Sequence, residues 1–164
     1  MISVIIPTTT GGLGHLANLM PSLVSQDIDK EIIIIDNDSR DGTTHFLASS
    51  DCLLKINKTR MNFSQSNNYG VSISHGDYLL FLNNDTKLNK DLLLEMRGTF
   101  ESDPKIGVVG CLLILMDQPK RVQHAGVMFT DKYEPYELGL SQSFGVPELP
   151  RTDPRVTSVR EVPS

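Results

Sequence analysis

Short apolar runs recur along the first part of the chain, at Ile2-Ser3-Val4-Ile5-Ile6 and Ile32-Ile33-Ile34-Ile35, both rich in β-branched residues, and at Leu53 to Ile56 and Tyr78 to Leu82. Such runs predict strands. Between them, apolar residues return at helical spacing: Leu13, Leu16, Leu19, Met20, Leu23 and Val24, then Phe46 and Leu47, and later Leu93, Met96 and Phe100. Strand and helix in alternation predict a doubly wound α/β fold with a mixed, mainly parallel sheet. The run Tyr78 to Leu82 is continuous, which predicts a central strand covered on both faces. Pro7 is expected to close the first strand, Pro21 to kink or divide the first helix, and Asp103-Pro104 to stop the last one. Ile106 to Ile114 then reads as another buried strand. The polar turn Asp117-Gln118-Pro119-Lys120 reverses the chain, and Val122 to Phe129 is its hairpin partner.

Beyond Thr130 the pattern fades. Five of the nine prolines fall there, at Pro135, Pro147, Pro150, Pro154 and Pro163, without an apolar period. Residues 131–164 are therefore expected to be an extended loop or partly disordered tail, with the folded domain over 1–130. The 164 residues suit one domain with a sizeable core. A formal charge of −5 and the lack of a basic run argue against a nucleic-acid surface. No run approaches a membrane span and no signal peptide opens the chain, so a cytoplasmic site is expected. Cys52 and Cys111 show no metal-ligand spacing and are read as reduced and structural.

Chemistry is concentrated where the predicted strands end. The first is followed by Thr8, Thr9 and Thr10 with Gly11, Gly12 and Gly14, hydroxyls and backbone donors for a ligand. The glycine spacing is neither G-x-G-x-x-G nor a P-loop. The second runs into Asp36-Asn37-Asp38-Ser39-Arg40-Asp41-Gly42-Thr43, where acidic and amide groups can accept from a pyrimidine N3–H and from ribose hydroxyls. A turn and helix cap is the alternative there; Asp36 and Asn37 are read as functional, Asp41 as structural. The run Tyr78 to Leu82 delivers Asn83, Asn84 and Asp85 to the sheet edge where α/β folds bind ligands. Such oxygen donors suit Mg²⁺ or Mn²⁺, and they equally suit an Asn-Asp turn. Arg60-Met61-Asn62-Phe63 opens a helix containing Asn67 and Asn68, which a helix interior disfavours, so contacts to a ligand or to neighbouring loops are expected. His124 either faces the reacting groups or is a satisfied strand residue, and the second reading is preferred. His15, His45 and His75 are read as surface residues.

Taken together, Ser3-Val4-Ile5-Ile6-Pro7-Thr8, Ile35-Asp36-Asn37 with Ser39 and Asp41-Gly42-Thr43, Asn67-Asn68-Tyr69-Gly70, and Gly76-Asp77-Tyr78-Leu79-Leu80-Phe81-Leu82-Asn83-Asn84-Asp85-Thr86 resemble the family 2 glycosyltransferases of GT-A fold. The match in order and spacing covers roughly the first 115 residues, and Gln123-His124-Ala125-Gly126-Val127 looks like a segment of bacterial members that build rhamnose-containing and other surface polysaccharides. The resemblance implies that Pro7, Thr8 and Thr9 line a nucleotide pocket, and that Asp36 and Asn37 hold the base and ribose of a UDP- or dTDP-linked sugar. It places Asn62 near the base or diphosphate and Asn84 with the nucleotide-binding residues. Asn83-Asn84-Asp85 matches the family's Asp-x-Asp metal motif, with Asp85 the direct ligand of Mn²⁺ or Mg²⁺. Asparagine in place of aspartate lowers the charge of that site and should weaken metal affinity when no nucleotide diphosphate shares the cation.

The reaction so implied moves the sugar to an acceptor hydroxyl, saccharide or lipid-linked, with inversion at the anomeric carbon, while the cation steadies the departing diphosphate. It needs a carboxylate base. In the family that base follows a later strand, and Val159-Arg160-Glu161-Val162-Pro163-Ser164 resembles the lead-in to it, so the chain looks like a donor-binding half without its acceptor-binding half. Glu134, Glu137, Glu148 and Glu161 sit in no matching motif, and no base is assigned. A site at the inner face of the membrane fits a lipid-linked acceptor. An uncovered apolar sheet surface in such a half makes a homodimer an expectation to test. Two other classes stand beside this one. A non-catalytic nucleotide-sugar-binding module would bind donor without turnover, and a sugar nucleotidyltransferase would carry basic residues after the first strand, where Thr8 to Gly14 has none.

Overall fold

Two neighbouring runs of buried β-branched residues, Val4, Ile5 and Ile6 in one strand and Ile32 to Ile35 in the next, form the centre of the sheet. The computed structural model describes residues 1–50, 52–56, 60–119, 121–129, 135–137 and 157–162. It divides the chain into two compact units, Met1–Pro21 with Ile28–Asp85, and Ser22–Asp27 with Thr86–Ser164. In the first, β1 (Ile2–Thr8), α1 (Leu13–Val24, whose last residues belong to the second unit), β2 (Lys30–Asp36), α2 (Thr43–Ala48), β3 (Leu53–Ile56), α3 (Phe63–Ser72) and β4 (Tyr78–Phe81) alternate as expected. The four strands pair in parallel in the order β3-β2-β1-β4. The order turns back on itself at β1, and in sheets of this kind the carboxyl ends of the strands beside such a reversal are where ligands bind.

Several expectations change here. β1 does not close at Pro7 but runs through it to Thr8, in register with Asp36 of β2. Pro7 is tolerated because its side of the strand faces β4, whose pairing with β1 ends at Ile5↔Phe81. α1 is a single helix with Pro21 in its last turn. Among the described residues β4 is an edge strand of this sheet, not a central one. It alternates half-buried and exposed positions, leaving Leu79 43% and Phe81 52% exposed. A continuous apolar run therefore does not by itself show that both faces are covered.

α3 is set by a capping box: Asn62 accepts from Gln65 N at 2.9 Å, and Gln65 Oε1 accepts from Asn62 N at 3.0 Å. It packs closely on β1. A Cβ at Gly70 would collide with Ile5 Cγ2 and lie 3.3 Å from Ile5 Cγ1, so only glycine fits.

The second unit is organised by a buried amide. Gln26 Nε2 donates to the carbonyls of Ser22 (3.0 Å) and Asn89 (2.7 Å), and Gln26 Oε1 accepts from Leu93 N at 3.1 Å. These bonds tie the end of α1 to the start of α4 (Leu92–Glu101). β5 (Cys111–Leu115) pairs antiparallel with β6 (Val122–His124) and parallel with β9 (Thr157–Val162), while β7 (Val127–Phe129) pairs with β8 (Pro135–Glu137). Leu112, Ile114 and Val122 form its small core with Ala125. The strand expected from Ile106 starts only at Cys111; Ile106 N closes a turn on Asp103 O, and Val108 is 87% exposed. The expected hairpin partner stops at His124, and Gly126 follows at φ 117°. Most of the stretch read as a tail, including Glu134 and Glu148, lies outside the described residues, although β8 and β9 fall within it. Among the described residues no helix is long and apolar enough to cross a membrane.

Candidate functional site

The carboxyl edge of the first unit's sheet gathers three segments. β1 ends at Thr8 and β2 at Asp36, side by side in register. The chain leaving β4 stays alongside β1 through Leu82 N donating to Ile5 O at 3.0 Å, which carries Asn83, Asn84 and Asp85 beyond the sheet. There Asn84 Nδ2 donates to Thr8 Oγ1 at 2.9 Å. Gly12, buried, closes over this pair: its N donates to Thr9 O at 2.9 Å, and a Cβ on it would collide with Thr8 Oγ1 and lie 2.8 Å from Asn84 Nδ2. Glycine is required by that approach. The sequence signal for it was present among Gly11, Gly12 and Gly14, but nothing in the spacing singled out Gly12.

The other predicted residues have definite places. Pro7 is half-buried, Thr8 buried and Thr9 exposed. Asp36 is wholly buried; its Oδ1 accepts from Ser39 N at 3.2 Å and from Ser39 Oγ, and its Oδ2 accepts from Thr44 Oγ1 at 3.2 Å. Asn37 links three segments, with its N donating to Thr8 O (2.9 Å), its Nδ2 to Ser66 Oγ (3.0 Å) and its Oδ1 accepting from Met61 N (3.3 Å). Asp36 and Asn37 are thus joined to the turn and to the start of α3, where exposed Asn62 is the N-cap. Buried Ser66, which the sequence did not mark, is the partner that brings α3 to this edge. Asn67 is buried and donates to Phe63 O at 3.0 Å, whereas Asn68 is exposed. His124 is half-buried on β6 in the second unit.

Asp85 differs from these. Its Oδ1 is buried and finds no hydrogen-bond donor among the described residues. A buried carboxylate oxygen without a donor is costly in isolation and calls for a partner. A divalent cation fits that need. Among the described residues no group of three or more His, Cys, Asp or Glu is placed to hold a metal, so a cation here would complete its shell with ligand oxygens and water. That is the usual manner of Mg²⁺, bound through one or two carboxylates plus phosphates.

Residues 3–148 match the family described as Glycosyl transferase family 2. The O-antigen biosynthesis protein RfbC of Myxococcus xanthus is 30% identical over 119 residues, which are 69% of this chain and 9% of that protein. Among solved structures, S. aureus TarS superposes with a TM-score of 0.59 at 20% identity, over 70% of this chain and 21% of TarS. The mannosyltransferase PcManGT from Pyrobaculum calidifontis, in complex with GDP-Man and Mn²⁺, gives a TM-score of 0.59 at 20% identity, over 68% of this chain and 35% of that one. The chain spans between 9% and 40% of the length of the curated relatives it matches.

Proposed function

Because the chain belongs to glycosyl transferase family 2, we propose that its first unit binds the nucleoside diphosphate of a UDP- or dTDP-linked sugar. The protein to which it belongs then moves that sugar, with inversion, to a saccharide or lipid-linked hydroxyl in surface-polysaccharide synthesis. The observation that carries the donor site is the buried Asp85 Oδ1 without a donor, standing next to the Thr8–Asn84 pair at the carboxyl edge of the sheet. The mannosyltransferase neighbour holds GDP-Man with Mn²⁺, and TarS is known with UDP and with UDP-GlcNAc, which supports a nucleotide sugar and a cation here.

In this reading Asp85 holds Mn²⁺ or Mg²⁺, which supplies positive charge to the diphosphate oxygens as they leave the sugar. Asn84, in place of an acidic residue, keeps Thr8 in position and leaves the carboxylate of Asp85 as the anionic group of that turn. Pro7, Thr8 and Thr9 line the pocket. Asp36 and Asn37 serve the base and ribose end, chiefly by shaping the turn through Ser39, Thr44, Ser66 and Met61, and Asn62 stands beside them at the head of α3. Donor binding is assigned within residues 1–130 and the base to an acceptor-binding part; of 131–164, β9 pairs with β5 and so belongs with the second unit. Action at the inner, cytoplasmic face of the membrane accords with a lipid-linked acceptor. A homodimer through the exposed Leu79 and Phe81 of β4 belongs to the same proposal, and a monomeric mass at high concentration removes it.

The small share of its relatives' length that the chain spans favours one variant of this reading, in which the chain alone binds donor and does not turn it over. Turnover by a longer protein and not by this chain distinguishes the two. The first test is calorimetric titration with UDP and dTDP, with and without Mn²⁺, on the chain and on Asp85→Ala. Metal-dependent binding of one nucleotide, lost in Asp85→Ala, is expected; no binding of either nucleotide under any condition retires the donor site.

A further inference from the structure

The loops after β1 and β2 are joined by a carboxylate that the sequence marks only as a helix-starting residue. Asp41 Oδ2 accepts from Gly11 N at 2.6 Å and from Leu13 N at 3.4 Å. Its other oxygen, Oδ1, accepts from Thr43 Oγ1 at 2.6 Å and Thr43 N at 3.2 Å. The first pair belongs to the loop after β1, the second to the start of α2. Beside this clamp Arg40 N donates to Thr10 Oγ1 at 3.2 Å, and further in Asn37 N donates to Thr8 O at 2.9 Å. Gly11 and Gly42 take φ of 95° and 88°, so both loops bend at the clamp in a conformation that other residues rarely adopt.

From this geometry we infer that Asp41 is a positioning residue of the donor site: it clamps the β1 loop to the β2 loop and so fixes the surface on which the nucleotide rests. The inference builds on the proposed donor site. Its force comes from what the clamped loop carries. The segment between Thr8 and Leu13 contains Thr8, which meets Asn84, and Gly12, which closes over that contact, so a loop held at Gly11 and Leu13 holds the neighbourhood of Asp85 as well. The β2 loop carries Asp36 and Asn37. One side chain thereby sets the distance between the two ends of a bound nucleotide.

The clamp is charged under ordinary conditions. The hydrogen bond from the Thr43 hydroxyl, with those from the Gly11, Thr43 and Leu13 amides, outweighs burial and brings the Asp41 carboxyl down to about 2. Because Asp41 also takes up the Gly11 and Leu13 amides at the head of α1, those donors are already satisfied and are not free for a phosphate; the diphosphate charge would instead be offset by a cation that Asp85 would hold.

The test compares nucleotide affinity, in the presence of Mn²⁺, for the chain and for Asp41→Ala, Asp41→Asn and Glu31→Gln, each at a temperature well below its unfolding transition. Glu31 lies at the opposite, amino-terminal end of the sheet and serves as a variant that lowers stability without touching the loops. Asp41→Ala is expected to weaken binding at least tenfold, with faster hydrogen exchange at Gly11 N and Leu13 N. Asp41→Asn, which keeps one accepting oxygen, falls between it and the parent. Glu31→Gln stays within twofold. Binding by Asp41→Ala within twofold of the parent overturns the inference; if that variant does not fold, the same outcome for Asp41→Asn does so. If the unaltered chain binds no nucleotide, the donor site itself is wrong and the inference falls with it.

Discussion

Thr8 and Asn84 stand 76 residues apart in the chain and meet in one hydrogen bond, from Asn84 Nδ2 to Thr8 Oγ1 at 2.9 Å. It joins the end of β1 to the turn that presents Asp85. Neither residue does this alone, because the space above the bond is available only while residue 12 lacks a side chain.

Gly12→Ala is therefore expected to break the bond. The added methyl would meet Thr8 Oγ1, Asn84 Nδ2 and the Thr9 carbonyl together, and the last of these is backbone that cannot turn aside. Overpacking of this kind costs about 1–3 kcal/mol, and nucleotide binding should weaken as well. Gly14→Ala is the matched control. It lies in α1 with nothing within 4 Å of the new Cβ, so it should stabilise the helix by up to about 1 kcal/mol. Thermal unfolding of both variants checks the pair, and equal shifts would show that the contact at Gly12 does not matter.

How far the sequence reveals this site depends on whether a signal is local or distant. The strands β1 and β2 follow from β-branched runs and the start of α3 from its capping box, which neighbouring residues determine. That Asp85 stands just beyond a strand was legible because a strand end followed by oxygen-bearing residues is a local pattern. The partners were not. Nothing near Asn37 announces Ser66, which α3 brings there by packing on the sheet, and nothing near Asp41 announces Gly11, which the parallel register of β1 and β2 sets beside it. Gln26 is the clearest case. It looks like a surface residue at the end of an amphipathic helix, yet it is buried because Asn89 and Leu93, more than 60 residues on, complete its hydrogen bonds. The edge position of β4 was misread for a related reason: hydrophobicity records what a strand would bury, and the pairing order decides what it does bury.

Cys111 is expected to be inert toward alkylation. Burial pushes its thiol up to about 12, and the Sγ lies 3.3 Å from Met96 Sδ on α4. The thiolate is the reactive form, so at pH 8 only about one part in 10⁴ of such a thiol is ionised. Iodoacetamide labelling of the folded chain at pH 8, followed by peptide mass analysis, should find Cys52 modified well ahead of Cys111, with both modified once the chain is unfolded. Equal labelling in the folded state would place Cys111 in a more open setting than this.

Glu31 gives a pH dependence with a definite sign. Its burial raises the carboxyl's pKa, but hydrogen bonds from Ser3 Oγ (2.5 Å), from His75 N (2.5 Å) and from the His75 ring outweigh that effect, and the net shift is downward from 4.5. A folded value below the unfolded one means that the unfolded chain binds the proton more readily. The contribution is therefore fully present above the unfolded value of 4.5 and is lost as pH falls through the folded value. Glu31→Gln should then lower the unfolding temperature at pH 7, by a free energy on the order of 1 kcal/mol, since these are charge-assisted bonds in a partly exposed setting. The difference between the two proteins should shrink as the pH is taken from 5 toward 3. Melting curves at several pH values test this, and a deficit that persists undiminished at pH 3 would assign the effect to shape at the Ser3–Gly76 contact, with the charge of Glu31 contributing nothing.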